Sequence, residues 1–83
     1  MDEHDDEKQA VRDAVANELR ARRAYRRISQ SQLIKMSGIS KSTIERLELG
    51  KRDLDIPQLV LLSRALEFDP GEFMRSVQDA LED

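Results

Sequence analysis

The sequence has no cysteine and no tryptophan, and its single histidine is His4. Without cysteine the chain can form neither a disulfide nor a thiolate zinc site. Its only histidine lies in an acidic tail, which argues against a Ser-His catalytic pair and against a histidine metal site. The longest apolar run, residues 59–62, is far shorter than a membrane span. These absences argue against an enzyme, a metal or cofactor site and a membrane protein, and they favour a small cytoplasmic domain.

Charge is distributed unevenly along the 83 residues. Residues 20–52 carry ten bases and two acids, a net charge of +8, whereas residues 1–19 carry −5 and residues 53–83 carry −6. A basic block between two acidic ones indicates a polyanionic partner, although solvated, arginine-rich helix faces would give the same counts. Charge alone therefore leaves two equal explanations of the basic block, a nucleic-acid partner or a solvated surface without a partner.

Hydrophobic residues recur at helical spacing and nowhere alternate as in a strand, which predicts an all-α fold. Ser29, Ser40, Asp55 and Asp69 can each cap a helix, and an apolar pair five residues apart surrounds each cap. A Gln or Glu three residues after Ser29, Asp55 and Asp69 would complete capping boxes. The sequence therefore predicts five helices, at about residues 8–26, 30–37, 41–48, 56–66 and 70–81.

The first seven residues are acidic and almost devoid of apolar side chains, so we expect residues 1–7 to form a disordered tail. Residues 8–83 are then expected to form one domain. Within it, Gly38 allows a sharp turn between two short helices, and Ile39 is expected to fill that turn. This spacing is typical of a helix-turn-helix over about residues 30–49.

A set of residues between positions 19 and 74 carries a family resemblance: Leu19, Arg23, Ser29, Gln30, Leu33, Gly38, Ile39, Ser40, Ile44, Leu47, Glu48, Gly50, Lys51, Arg52, Leu59, Ala65, Leu66 and Phe73. In these positions the chain resembles the Cro/C1-type (XRE-like) helix-turn-helix family of small phage repressors, bacterial regulators and restriction-modification controller proteins. The resemblance implies a compact five-helix bundle of the lambda-repressor-like fold, usually dimeric, that binds operator DNA.

Two positions depart from the family pattern. Ile34 stands where the family usually has alanine, which would set the two short helices slightly wider apart. Arg27 stands where the family often ends its first helix with glycine. A left-handed backbone at Arg27 would cost on the order of 1 kcal/mol.

Ile44 and Leu47 are expected to face the core, which leaves the opposite face of the helix over 41–48 for DNA. The predicted base contacts are Lys41, Ser42, Glu45 and Arg46. Arg46 leads because a guanidinium can bind guanine O6 and N7 together. The predicted phosphate contacts are Gln30, Thr43, Lys51 and Arg52. For each of these residues the alternative is a solvated side chain.

The other arginines of the basic block are assigned differently. The resemblance implies a structural ion pair between Arg23 and Glu48, with no DNA contact by Arg23. The remaining four are expected to be largely solvated, with one or two reaching flanking phosphates: Arg20, Arg22, Arg26 and Arg27.

The last two predicted helices carry more apolar residues than docking on one core requires. The predicted dimer interface consists of Val60, Leu61, Met74, Val77 and Leu81. The alternative is a set of scattered surface apolar residues, which are common in monomers.

Together these features predict a sequence-specific DNA-binding transcriptional regulator, most simply a repressor, that binds an inverted repeat as a homodimer. The expected partners are double-stranded DNA and a second copy of the chain, with RNA polymerase or a regulatory protein as further candidates. Its expected place is the cytoplasm of a bacterium or a phage-infected cell, on the nucleoid. The alternative is an antitoxin or anti-repressor-like interaction module that keeps the helix-turn-helix as a scaffold; the basic block favours DNA.

Overall fold

The computed structural model describes residues 3–82, with side chains from residue 5 onward, and this part of the chain is helical apart from short turns. The helices are α1 (Glu3–Tyr25), α2 (Gln30–Ser37), α3 (Lys41–Glu48), α4 (Ile56–Leu66) and α5 (Pro70–Leu81). The predicted all-α, five-helix fold is confirmed, and the last four helices have the predicted bounds. None of the helices in residues 3–82 combines the length and apolar content needed to cross a membrane.

Helix α1 differs from the prediction at its start, because it begins at Glu3 rather than near residue 8. Residues 3–7, expected to be disordered, form its first turns, whereas residues 1 and 2 of the predicted tail and residue 83 of the predicted domain lie outside the described residues. Carboxylates near a helix N-terminus interact favourably with the macrodipole, so an acidic segment can extend a helix in this direction.

Local capping fixes where the later helices begin. Ser29 and Asp55 accept hydrogen bonds from the backbone N–H groups of Gln32 and Gln58, whose side chains complete both capping boxes. Ser40 accepts from the Thr43 N–H at 3.3 Å. At α5 the predicted box with Glu72 does not form, because the Asp69 carboxylate accepts instead from the Gly71 N–H at 3.3 Å.

The core lies between the helices, where α1 packs on α3 and α5, α2 packs on α3 and α4, and α4 packs on α5. Its fully buried side chains are Leu19, Leu33, Ile44, Leu47, Leu62, Leu66, Phe73 and Val77. Phe68 closes one end by stacking on Phe73, with 4.9 Å between the ring centroids. Ile34 is half-buried and packs against this core from its edge, so the larger side chain is accommodated beside the helix pair.

Two residues after the end of helix α1, Arg27 has a left-handed backbone with a φ of 56°. The Arg27 N–H donates to Ala24 O at 3.0 Å and the Ile28 N–H donates to Arg23 O at 3.1 Å. These bonds satisfy carbonyl groups that the end of the helix would otherwise leave free. The turn is therefore held in a conformation that glycine adopts with less strain than arginine.

Arg27→Gly is expected to raise the free energy of unfolding by about 0.5–1 kcal/mol, because glycine removes the Cβ that strains a left-handed backbone. The measurement is urea denaturation followed by circular dichroism. Arg27→Ala is the matched control, since it removes the same charge and keeps the Cβ. Equal stability of the glycine and alanine variants would show that backbone strain at this position is negligible.

Candidate nucleic-acid interface

The turn between α2 and α3 sets the angle at which α3 leaves the body of the protein. Gly38 has a φ of 74°, and its N–H donates to Ile34 O at 3.0 Å. Ile39, only 7% exposed, fills the turn, and its N–H donates to the Ser37 hydroxyl at 3.1 Å. The two short helices and this turn make the helix-turn-helix geometry, in which the second helix can enter a major groove.

The buried residues of α3 are Ile44, Leu47 and Glu48, which face the rest of the bundle. The opposite face presents three exposed side chains from the predicted base contacts: Lys41, Ser42 and Arg46. Arg46 is exposed, and its guanidinium makes no hydrogen bond or ion pair with residues 5–82, whose side chains the structure describes. Its guanidinium is therefore free to turn towards a partner at the outer surface.

The other two predicted contacts on α3 are less open. Glu45 is half-buried, and one carboxylate oxygen lies 3.8 Å from Lys41 Nζ, a loose ion pair one turn apart. Thr43 is half-buried, and its hydroxyl accepts a hydrogen bond from the Ser40 hydroxyl at 3.0 Å. Because the Thr43 hydroxyl proton is not used in that bond, it can still be donated to a phosphate oxygen.

An ion pair ties α3 to α1. Arg23 Nε donates to Glu48 Oε2 at 2.8 Å, and Nη2 donates to Glu48 Oε1 at 2.9 Å, a two-pronged contact. The hydrogen bond to the carboxylate raises the pKa of Arg23 above its ordinary value. Glu48 is only 4% exposed, so its charge depends on Arg23 for compensation. The orientation of α3 is thereby fixed by a buried, charge-assisted contact.

Gln30, a predicted phosphate contact, belongs to the same cluster. Its side-chain amide donates to Glu48 Oε1 at 3.2 Å, and the residue is half-buried. Arg20 also reaches this region, because its guanidinium donates to the Glu48 backbone carbonyl and to Asn17. Arg20, Gln30, Glu45 and Glu48 line a shallow pocket together with Leu49. The side chain of Gln30 is thus positioned before any ligand arrives.

Three arginines expected to be largely solvated have partners in the structure. Arg20 contacts the end of α3, Arg22 pairs with Glu18 at 2.6 Å, and Arg26 pairs with Glu67. Arg22 also lies over the Phe68 ring, 5.5 Å from its centroid. The spacing of four residues between Glu18 and Arg22 could have identified that pair from the sequence. The Glu48 carbonyl that Arg20 contacts and the Glu67 partner of Arg26 lie 28 and 41 residues away and carry no local signal.

The loop after α3 brings Lys51 and Arg52 next to the end of that helix. The Gly50 and Lys51 N–H groups donate to Leu47 O and Arg46 O at 3.3 and 2.9 Å, so neither of them is available to a phosphate. The Lys51 side chain is exposed and Arg52 is half-buried. Phosphate binding by this loop would therefore rest on its charged side chains.

The predicted dimer interface requires one correction. Val77 is only 1% exposed and belongs to the core of the single chain, so it cannot lie in an interface. Helix α5 docks on α1 with Phe73 and Val77, which use the same helix face. Leu61, Met74 and Leu81 are 40–42% exposed, and Val60 is half-buried, so these four remain accessible.

The Helix-turn-helix family matches this chain over residues 19–73. No match was found among curated proteins. The family match covers more than half of the 83 residues and includes α2, the turn and α3. The chain belongs to the helix-turn-helix family, of the Cro/C1 type, and is a DNA-binding regulator.

Proposed function

We propose that this protein is a sequence-specific transcriptional repressor that binds an inverted-repeat operator as a homodimer. The observation that carries the proposal is the division of α3 into two faces. Ile44, Leu47 and Glu48 are buried, whereas Lys41, Ser42 and Arg46 are exposed. A helix anchored on one side and polar and basic on the other is suited to reading base edges in the major groove.

Within this proposal the exposed face of α3 supplies specificity. Arg46 donates two hydrogen bonds to one guanine, and Lys41 contacts a second guanine or a phosphate. Ser42 reaches a base edge. Glu45 accepts from a cytosine amino group, or it orients Lys41, which lies 3.8 Å away. Each well-formed bidentate contact contributes about 1–3 kcal/mol of discrimination between bases.

Phosphate contacts at both ends of the motif would fix the register of the protein on the duplex. Gln30 lies in the first turn of α2, where the positive end of the helix dipole favours an anion. Thr43, Lys51 and Arg52 contribute a hydroxyl and two positive charges beside α3. These contacts bind DNA of any sequence and make the affinity dependent on salt.

Dimerisation would place two copies of α3 in successive major grooves. Val60, Leu61, Met74 and Leu81 provide the accessible apolar side chains for a two-fold interface. Two half-sites are then expected about one helical turn apart. Repression by covering a promoter on the bacterial nucleoid needs no contact with RNA polymerase or with a regulatory protein.

The test is selection of bound duplexes from a random DNA pool with the full 83-residue chain. The proposal predicts an enriched inverted repeat with half-sites about one turn apart. Enrichment of a single, non-repeated half-site would contradict the homodimer. No enrichment above the starting pool, with binding equal for all sequences, would contradict sequence-specific regulation.

Arg46→Ala is expected to weaken binding to the selected operator by about 1–3 kcal/mol and to relax the preference at one position in each half-site. The reason is the loss of a bidentate contact with a base. The measurement is a fluorescence-anisotropy titration, followed by repeated selection with the variant. Lys51→Ala is the matched control, because losing a phosphate contact weakens all sequences about equally. An unchanged motif with Arg46→Ala would place base readout elsewhere.

A further inference from the structure

The loop that follows α3 runs beside the amino-terminal half of α1 in a regular register. Gln9 Nε2 donates to the Gly50 carbonyl at 2.8 Å, and Arg12 Nε donates to Asp53 Oδ1 at 2.6 Å. The step of three residues from Gln9 to Arg12 along the helix thus matches the step of three residues from Gly50 to Asp53 along the loop. The helix holds this loop, defined here as residues 50–53, at both of its ends.

At its first end the loop lies against side chains of α1. A Cβ atom added at Gly50 would lie 2.5 Å from Asp13 Oδ1, and the backbone φ there is +70°. The same Asp13 oxygen accepts a hydrogen bond from Gln9 Nε2 at 2.9 Å. Glycine suits this position because of the positive φ, whereas an added Cβ would meet only the end of the Asp13 side chain, which can move aside. Gln9 therefore joins Asp13 and the Gly50 carbonyl into one small cluster.

At its second end the loop is held by a charge pair. The hydrogen bond and the positive charge of Arg12 lower the pKa of Asp53 below its ordinary value. The Asp53 side chain remains largely exposed. Because the Arg12–Asp53 pair is accessible to water, it is expected to add little to the stability of the fold. Its expected role is to hold the loop in position.

Lys51 and Arg52 lie between these two anchors. The Lys51 N–H is also bonded to Arg46 O at 2.9 Å, which fixes the loop to the end of α3. With the bond from the Gly50 N–H to Leu47 O, the loop therefore has two attachments to the helix that carries the predicted base contacts and two attachments to α1. Gln9, Arg12 and Asp13 all precede the stretch that matches the family, residues 19–73.

We propose that the amino-terminal half of α1 holds the loop of residues 50–53 in the position at which Lys51 and Arg52 contact DNA phosphates. Gln9 and Arg12 are positioning residues: they touch the loop and not the DNA. The inference rests on the proposed function, which makes Lys51 and Arg52 phosphate contacts. It adds that the segment before the family match is part of the DNA-binding apparatus.

Asp53→Asn provides the sharpest test, because charge and positioning predict opposite results. Removing a negative charge beside DNA would by itself tighten binding. If Asp53 positions the loop through Arg12, the variant instead binds at least about threefold more weakly. The measurement is anisotropy titration of the selected operator and of an unrelated duplex over a series of salt concentrations, at temperatures where circular dichroism shows each variant folded.

Two further variants separate positioning from charge. Gln9→Ala changes no charge and is expected to weaken binding to both duplexes and to flatten the salt dependence by about 0.9, the slope of one lost phosphate contact. Asp6→Asn is the matched control for Asp53→Asn. It removes an exposed carboxylate one turn before Gln9, and it is expected to bind DNA equally or more tightly.

Lys51→Ala distinguishes failure of this inference from failure of the proposed function. Combined with Asp53→Asn, it is expected to have less effect than in the native chain, because the loop is already displaced. If Lys51→Ala weakens binding while Asp53→Asn and Gln9→Ala do not, the positioning role is overturned and the phosphate contact stands. If Lys51→Ala leaves the affinity and salt slope unchanged, the phosphate contact itself is wrong, and the positioning role is overturned with it.

Discussion

Arg23→Ala is expected to lower the free energy of unfolding by about 3–5 kcal/mol. Glu48 is 4% exposed, and two of the hydrogen bonds to its carboxylate come from Arg23. Without them the buried carboxylate keeps, among the residues that the structure describes, only the amide of Gln30, at 3.2 Å. A buried charge that loses its partner costs far more than the intact pair contributes, because water cannot replace the lost contact. A loss of this size is a large part of the stability of a small domain.

The reverse change is expected to be milder. In Glu48→Ala the Arg23 side chain, which is 23% exposed, still donates to the Ile28 carbonyl at 3.1 Å and can reach water. The double variant is expected to lose less than the sum of the two single losses, because neither charge is then left alone. Urea denaturation of the four proteins gives the coupling energy.

Arg64→Ala is a suitable control for the loss of one arginine, since Arg64 is exposed on α4. Its effect is expected to stay within about 0.5 kcal/mol. If the Arg23 and Glu48 effects were strictly additive, the contact would contribute no coupling, and the angle of α3 would have to be set by apolar packing alone.

The sequence predicts the start of a helix well where the signal is local. Ser29, Ser40, Asp55 and Asp69 each lie immediately before a helix that begins where expected. A cap needs only a side-chain oxygen and an N–H two or three residues ahead, so it can be identified without knowing the fold. The Gly38 turn is identifiable for the same reason, because its left-handed conformation is a local requirement.

Contacts between residues that are far apart in the sequence cannot be predicted in the same way. Helix α1 begins at Glu3, and its amino-terminal half is bonded to Gly50 and Asp53, about 40 residues away. Residues 1–7 are acidic and almost devoid of apolar side chains, which predicts disorder there, and nothing near Gln9 or Arg12 in the sequence indicates a contact with the later loop. The distant partner of Arg20 is the backbone carbonyl of Glu48, which no sequence pattern marks.

Helix α5 shows a different limit. Phe73 and Val77 are one turn apart and both face the core, whereas Met74 and Leu81 are partly exposed. Periodicity places apolar residues on a face of the helix but does not state which face meets the core and which meets a partner. The prediction that Val77 lies in the dimer interface is therefore wrong, because Val77 is on the helix face that meets the core. The chain uses Val77 to dock its own last helix.

Glutamate is expected to have opposite consequences at two apolar positions, one buried on α5 and one exposed on α4. Val77→Glu is expected to unfold the protein, because it puts a carboxylate at a site that is 1% exposed and belongs to the apolar core. Leu61→Glu is expected to leave the fold intact, since Leu61 is 40% exposed within the chain. Under the proposed homodimer, Leu61→Glu instead separates the subunits.

The expected loss of operator affinity for Leu61→Glu is about 10²–10⁴-fold. In a dimer, binding to one half-site raises the effective concentration of the second subunit at the other half-site, and a monomer lacks this gain. Light scattering measures the mass, circular dichroism the fold and anisotropy titration the affinity. Leu61→Lys is the matched control: it also disrupts an apolar interface, but its positive charge would by itself strengthen DNA binding. Loss of affinity in both variants, with both folded and monomeric, is the expected result. A native chain that stays monomeric at high concentration and on the full operator, or a Leu61→Lys variant that binds more tightly, would contradict an interface at Leu61.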